Sequence, residues 1–118
     1  MPDLARLGNL AEVQFPEIVH SIGFIGNKLR VGLVDGSYID FWWSEEIPGR
    51  FAYHWERNAI DGTVYRHDNI PHLQWRPVSS FPKHFHAGSQ QNVIESTMSE
   101  DPDQGLLQFL LFASSVIA

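Results

Sequence analysis

Alternating apolar residues around tight-turn signals constrain this chain most. Leu29, Val31 and Leu33 alternate with Arg30 and Gly32 in Leu29–Val34, and Asp35-Gly36 follows. Ser37–Trp43 then returns with Ile39, Phe41 and Trp43 on one face and Tyr38, Asp40 and Trp42 on the other. A period of two residues marks a half-buried strand, and Asp-Gly between two such runs predicts a two-residue hairpin. After the break at Pro48-Gly49, Arg50–Arg57 puts Phe51, Tyr53 and Trp55 on one side and Ala52, His54 and Glu56 on the other. Residues 58–62 read as a hairpin loop closing onto Thr63–His67. Pairing Asn58 with Thr63 sets His54 opposite His67 and Trp55 opposite Arg66. A one-residue slip in that register would reverse every face.

The flanks complete an α+β expectation. A short helix over 3–12, with Asp3 as N-cap, precedes Pro16 and a strand over 17–25. Gly26-Asn27 turns the chain into the first hairpin. From Asp68 to about Asn92 the alternation stops, and Pro71, Pro77 and Pro82 deny a ladder its donors. A segment this long without regular structure is often functional; equally, Trp75, Phe81 and Phe85 would pin it over one sheet face. A last helix is expected over about 103–115, with Asp101 or Asp103 near its start and Pro102 at its entry. Leu106, Leu107, Phe109, Leu110, Leu111 and Phe112 cover nearly its whole circumference, so it needs burial on more than one side. A second copy of the chain, a partner protein or the N-terminal helix would supply the second covering. The expectation is one domain over 1–118, with a curved antiparallel sheet of four to six strands, a C-terminal helix on one face and a long His/Pro-rich loop.

Composition narrows the chemistry. The 118 residues contain no cysteine, which excludes disulfides, thiolate nucleophiles and thiolate metal sites. A formal net charge of −6 gives no global attraction to nucleic acid, so an RNA substrate would need a local patch drawn from Arg57, Arg66, Arg76 and Lys83. The opening MPDLARLGNLAEV lacks the apolar core of a signal peptide. Leu106–Ala118 is about half the roughly 20 residues of a membrane span. The expected setting is cytoplasmic, away from membranes.

Five of the six histidines lie between Tyr53 and His86, with Arg66 and Asp68 among them. Histidine exchanges protons near neutral pH. Cleavage of RNA at the 2′-hydroxyl needs a base, an acid and a cation on the phosphate. Arg66 with His54, His72, His84 and His86 meets that list without a metal or other cofactor, and Asp68 would orient one histidine. Trp55, Tyr65 and Trp75 could stack bases, although aromatic residues in half-buried strands are more often core. Two other readings stand beside this one. His84-Phe85-His86 places both imidazoles on one side of an extended backbone, and with His72 or Asp68 it would form a nitrogen/oxygen metal site. Histidines in such loops also simply cap, stack and hydrogen-bond, and the apolar C-terminal helix fits a non-catalytic protein-binding module. Asp68-Asn69 before Ile70-Pro71 also fits an Asx turn. The Gly-rich phosphate loops, H-E-x-x-H and G-x-S-x-G are absent.

The order Tyr53-His54-Trp55, Asp61-Gly62, Arg66-His67-Asp68-Asn69-Ile70-Pro71-His72 and Ser80-Phe81-Pro82-Lys83-His84-Phe85-His86 resembles the TumE-like family of small bacterial toxin components. The resemblance spans roughly residues 18–112, with its specific part in 53–86. It implies a toxin paired with a helix-turn-helix antitoxin, and the common activity of small toxins in such pairs suggests an endoribonuclease. Leu73 and Lys83 stand where the family pattern has histidine, so a site requiring all five loop histidines would be incomplete here.

Overall fold

Asp35 builds the central turn with its own side chain, accepting hydrogen bonds from the backbone N–H (2.9 Å) and hydroxyl (2.5 Å) of Ser37. The computed structural model describes residues 1–118. Around this turn run β2 (Lys28–Leu33) and β3 (Tyr38–Trp43), preceded by α1 (Leu4–Gln14) and β1 (Val19–Ile25). Val34 lies in the turn and is exposed, so the connection spans four residues and not the two expected. Next come β4 (Phe51–Arg57), a helical turn α2 (Asn58–Asp61), β5 (Thr63–Asp68), a 3-10 turn (Leu73–Trp75), β6 (His84–Gly88), β7 (Val93–Glu95) and α3 (Pro102–Ile117).

The strands form one open antiparallel sheet in sequence order, β1 to β7. This confirms the α+β class and corrects the expectation of four to six strands: there are seven. The strands missed are β6, inside the segment expected to be a long irregular loop, and β7, just beyond its end. They are five and three residues long, too short to display alternation, and Pro82 stands just before the first. Irregular chain is confined mainly to 69–83.

The β4–β5 register also differs from expectation by one residue. Arg57 pairs with Thr63, which brings His54 opposite Arg66, Trp55 opposite Tyr65 and Tyr53 opposite His67. The cause is local. Residues 58–61 coil into a helical turn rather than an open loop, and Gly62, at φ 78°, closes it in the left-handed region.

One sheet face carries Leu29, Val31, Leu33, Ile39, Phe41, Trp43, Phe51, Tyr53 and Trp55, packed against Leu7 and Ala11 of α1 and Leu106, Phe109, Leu110 and Ala113 of α3. Asp3 caps α1 by accepting from the Arg6 N–H (3.2 Å), and Asp101 caps α3 by accepting from the Gln104 N–H (3.0 Å), with Pro102 following. Helix α1 packs directly on α3, where Arg6 grips Asp103 at 2.6 and 2.8 Å. Within one chain, α1 therefore supplies much of the second covering that α3 needs, while Leu111 stays exposed. Gly105 lets α3 approach closely: a Cβ there would lie 2.8 Å from the Tyr53 hydroxyl and 3.0 Å from the Ser99 carbonyl. No helix is long and apolar enough to cross a membrane.

Candidate functional site

The opposite sheet face is set by the alternate residues of the same strands. Reading across the paired positions gives two parallel rows. One runs Lys28, Trp42, Ala52, Asp68, His84, Glu95; the other runs Arg30, Asp40, His54, Arg66, His86, Val93. Neighbours in a row stand about 4.8 Å apart, one strand spacing. The register therefore delivers a polar surface built mainly from charged and imidazole side chains.

At the β2–β3 end, Arg30 donates Nε and Nη2 hydrogen bonds to the two Asp40 oxygens at 2.8 and 2.9 Å, which uses up that cation. Arg66 differs. Its Nε donates to Asp68 Oδ2 at 2.9 Å, its Nη groups have no protein partner, and its side chain is 28% exposed. Two open clefts meet at Arg66. The first, about 450 Å³, is lined by Lys28, Asp40, Trp42, Ala52, His54, Arg66 and Ile70. The second, about 610 Å³, is bordered by Arg66, Asp68, His72, Trp75, His86 and Gln90.

The histidines divide by depth. His54 is 24% exposed, and its Nε2 lies 3.2 Å from Glu56 Oε1. Glu56 is held below the usual carboxylate range by the Asn58 N–H first and by His54 second, so it stays ionised as the acceptor. His72 precedes the 3-10 turn and is exposed, with no side-chain cap bond. His84 is sealed, with a 0% exposed side chain, and its Nδ1 lies 2.9 Å from the Pro82 carbonyl oxygen. His86 is nearly sealed, with Nδ1 2.9 Å from the Gln90 carbonyl oxygen. Burial pulls His86 below its ordinary 6.5, against an upward pull from the Gln90 carbonyl. Asp68 lies beneath them. Its Oδ1 accepts from the Ile70 N–H at 3.0 Å, the Asx turn expected of Asp68-Asn69, and stands 3.3 Å from His84 Nε2; Oδ2 stands 4.0 Å from His86 Nε2.

The six expected site residues thus fall on one face, in two layers. Arg66, His54 and His72 reach solvent; Asp68, His84 and His86 form an inner cluster whose ligand-type atoms all lie within 4.8 Å of one another. Trp75 closes over that cluster, its ring centroid 5.7 Å from His86 and 6.2 Å from His84. Of the aromatic residues expected to stack bases, Trp55 is sealed in the core against Tyr65 and Phe112. The half-buried Trp42 replaces it as a residue lining a cleft. Lys28, Trp42 and the Arg30–Asp40 pair were not singled out from sequence; alternation from Ile39 already placed Asp40 and Trp42 on this face, but only the strand order joins them to Arg66. Leu73 is exposed, and Lys83 donates Nζ to the Met98 carbonyl at 2.6 Å. The two departures from the family's histidine pattern therefore leave the inner cluster intact.

In a comparison with protein families, the family model described as Toxin TumE matches residues 10–117. No curated protein and no solved structure matches the chain. The motif that carries the resemblance supplies β4, β5, β6 and the inner cluster, and the matched span takes in the entire sheet. The chain belongs to the TumE toxin family, the toxin component of a toxin–antitoxin system.

Proposed function

We propose that this toxin acts as an endoribonuclease on its open sheet face, through histidines and Arg66, without needing a metal for the cleavage step. The observation that supports it most is the position of Arg66 in the wall common to two clefts, with His54 in one and His72 in the other. A phosphodiester held by the free Nη groups of Arg66 would have an imidazole on each side. Lys28 adds a second cation in the first cleft, where Trp42 offers a ring, and Trp75 offers one in the second.

In the proposed reaction His72, which has no side-chain bond to hold it, takes the proton of the 2′-hydroxyl. The freed oxygen attacks phosphorus, and the 5′-oxygen leaves with a proton from His54 Nε2, the nitrogen that Glu56 holds in place. The products are a 2′,3′-cyclic phosphate and a 5′-hydroxyl. Arg66 neutralises the charge that grows on the phosphoryl oxygens. His84, sealed from solvent, does not touch RNA on this reading; this narrows the set of acid–base candidates that sequence alone suggested. The partner that restrains the toxin is a helix-turn-helix antitoxin, and both act in the cytoplasm.

The test is induced expression in a bacterial host of wild type against Arg66→Ala and His54→Ala, with total RNA followed over time. Growth arrest with RNA fragments ending in cyclic phosphate, seen for wild type alone, is the expected result. Equal arrest by all three proteins would overturn the reading and favour toxicity by protein binding alone.

A further inference from the structure

The inner cluster has a feature that RNA chemistry at Arg66 does not use. His84 and His86 each set Nδ1 against a backbone carbonyl oxygen, of Pro82 and Gln90 respectively, both at 2.9 Å. A carbonyl only accepts, so both Nδ1 atoms carry hydrogen. In each neutral ring that leaves the lone pair on Nε2. Both Nε2 atoms are turned toward the Asp68 carboxylate, His84 at 3.3 Å from Oδ1 and His86 at 4.0 Å from Oδ2. Lone pairs directed at a carboxylate repel it. His84 Nε2 is buried with no hydrogen-bond partner, in a side chain that is 0% exposed. An unsatisfied buried nitrogen of this kind carries a desolvation cost that a native fold normally offsets.

A proton on one ring would satisfy one pair. Protonating both would set two imidazolium rings, with centroids 5.0 Å apart, and the Arg66 guanidinium around a single buried carboxylate. A divalent cation satisfies both nitrogens and the carboxylate together. We infer that Asp68, His84 and His86 form a binding site for one divalent transition-metal ion of the zinc type, with His84 Nε2, His86 Nε2 and an Asp68 oxygen as its three protein ligands.

Three further observations fit that ion. The donor set, two imidazoles and a carboxylate, suits borderline metals such as zinc and is too poor in oxygen for calcium or magnesium. Tetrahedral bonds of about 2.0 Å set neighbouring ligand atoms about 3.3 Å apart. His84 Nε2 is already 3.3 Å from Asp68 Oδ1, and His86 Nε2 is 4.0 Å from the other carboxylate oxygen. The remaining edges, none above 4.8 Å, shorten on binding by movement of the His86 ring. Metal-bound histidines usually donate their other ring N–H to a carbonyl or carboxylate, which fixes tautomer and orientation. Pro82 and Gln90 already accept in that way, and Trp75 supplies an apolar cover. His72, the third ligand considered from sequence, lies on the exposed rim of the second cleft, outside the cluster. Three protein ligands leave at least one position of a tetrahedral site open.

This site stands apart from the ribonuclease reading and is tested by binding, not by activity. Untagged protein, stripped with chelator and dialysed, is titrated with Co²⁺ while visible absorption is followed, then with Zn²⁺ in competition. One equivalent of Co²⁺ should develop d–d bands that one equivalent of Zn²⁺ removes. His86→Ala, at the margin of the cluster, should weaken binding by more than the roughly 10–100-fold that follows loss of a residue that merely orients a ligand. His20→Ala and His72→Ala should bind as wild type does. No stoichiometric binding by wild type, unchanged affinity in His86→Ala, or loss in His72→Ala would each overturn the assignment. None of these outcomes bears on RNA cleavage at Arg66, so the two readings can fail separately.

Discussion

On the helix-covered face, His67 lies flat against Phe85, ring centroids 4.1 Å apart, with Nδ1 2.8 Å from the Ser96 hydroxyl. One residue to either side on β5, Arg66 and Asp68 point the other way and meet His86 and His84. The same strand pair thus builds two environments from one alternating sequence. The covered face satisfies most of its polar atoms within itself: the Trp43 N–H donates to the Tyr53 hydroxyl and the Trp55 N–H to Ser37 Oγ, with Arg57 Nε at its margin the exception. The open face leaves polar atoms without partners, among them His84 Nε2, His54 Nδ1 and the Arg66 Nη groups. Native folds tolerate few such atoms, and those they keep tend to mark function. Stability should therefore reside mainly on one face and activity on the other.

The largest expected effect breaks the covered face. Phe109 is fully buried and packs on Phe41, Tyr53, Phe112 and His67. Phe109→Ala should cost about 3–5 kcal/mol, a large share of the stability of a domain this size. Urea denaturation checks it, and a loss below about 1 kcal/mol would mean that α3 is not the main cover of the sheet. Next comes the open face. On the ribonuclease reading, Arg66→Ala should slow cleavage by about 10²–10³-fold, as removal of one charge-stabilising donor typically does, while the urea midpoint moves far less than in Phe109→Ala. Equal loss of folding in both variants would erase the division between the faces.

Much of this division was legible in the chain. Alternation in Leu29–Leu33, Tyr38–Trp43 and Phe51–Arg57 separates the faces without ambiguity, because each run is long enough to show a period of two. His84-Phe85-His86 likewise puts both imidazoles on one side. Two things were not legible, each for a physical reason. The register of β5 hung on whether residues 58–62 coil or stay extended, a choice made by a few hydrogen bonds around Gly62; an error of one residue moved His67 from the core to the open face. Strand β6 was hidden because its five residues read as part of a proline-rich segment, and only pairing with β5 reveals that His84 meets Asp68. The convergence of the inner cluster is therefore a fact of strand order and register, which no local pattern encodes.

The two faces also differ in how they respond to acid, an effect of intermediate size. Burial, reinforced by Lys83, pulls His67 from its ordinary 6.5 to about 3, so it stays neutral in the folded protein. The unfolded chain takes up that proton near pH 6.5, binding more protons than the native state between the two values. Stability is then complete above about pH 6.5 and falls as pH descends toward 3, by about 2 kcal/mol at pH 5 from this group. His84 and His86 of β6, across the sheet, also disfavour the charged ring, so the measurement belongs on chelator-treated protein. Urea midpoints at pH 7 and 5 should converge in His67→Phe relative to wild type; the same acid sensitivity in both would place the titrating group elsewhere.

The smallest effect separates the faces most cleanly. Burial pushes the Tyr53 phenol well above its ordinary value, so it remains a neutral hydroxyl that accepts the Trp43 indole N–H at 3.1 Å. Tyr53→Phe keeps the ring against Phe41 and Phe51 but orphans that donor, at a cost of about 1–2 kcal/mol. Toxicity should survive, because no atom of Tyr53 reaches the open face. His54→Ala should do the reverse. Its Nδ1 is already buried without a partner, so removing the ring deletes an unmet donor or acceptor. Stability should change by less than about 1 kcal/mol in either direction, while cleavage falls. The crossed pair carries the comparison: a stable, inactive His54→Ala beside a weakened, active Tyr53→Phe is what division of labour between two faces of one sheet requires. If both variants lose stability and activity together, the open face is part of the scaffold.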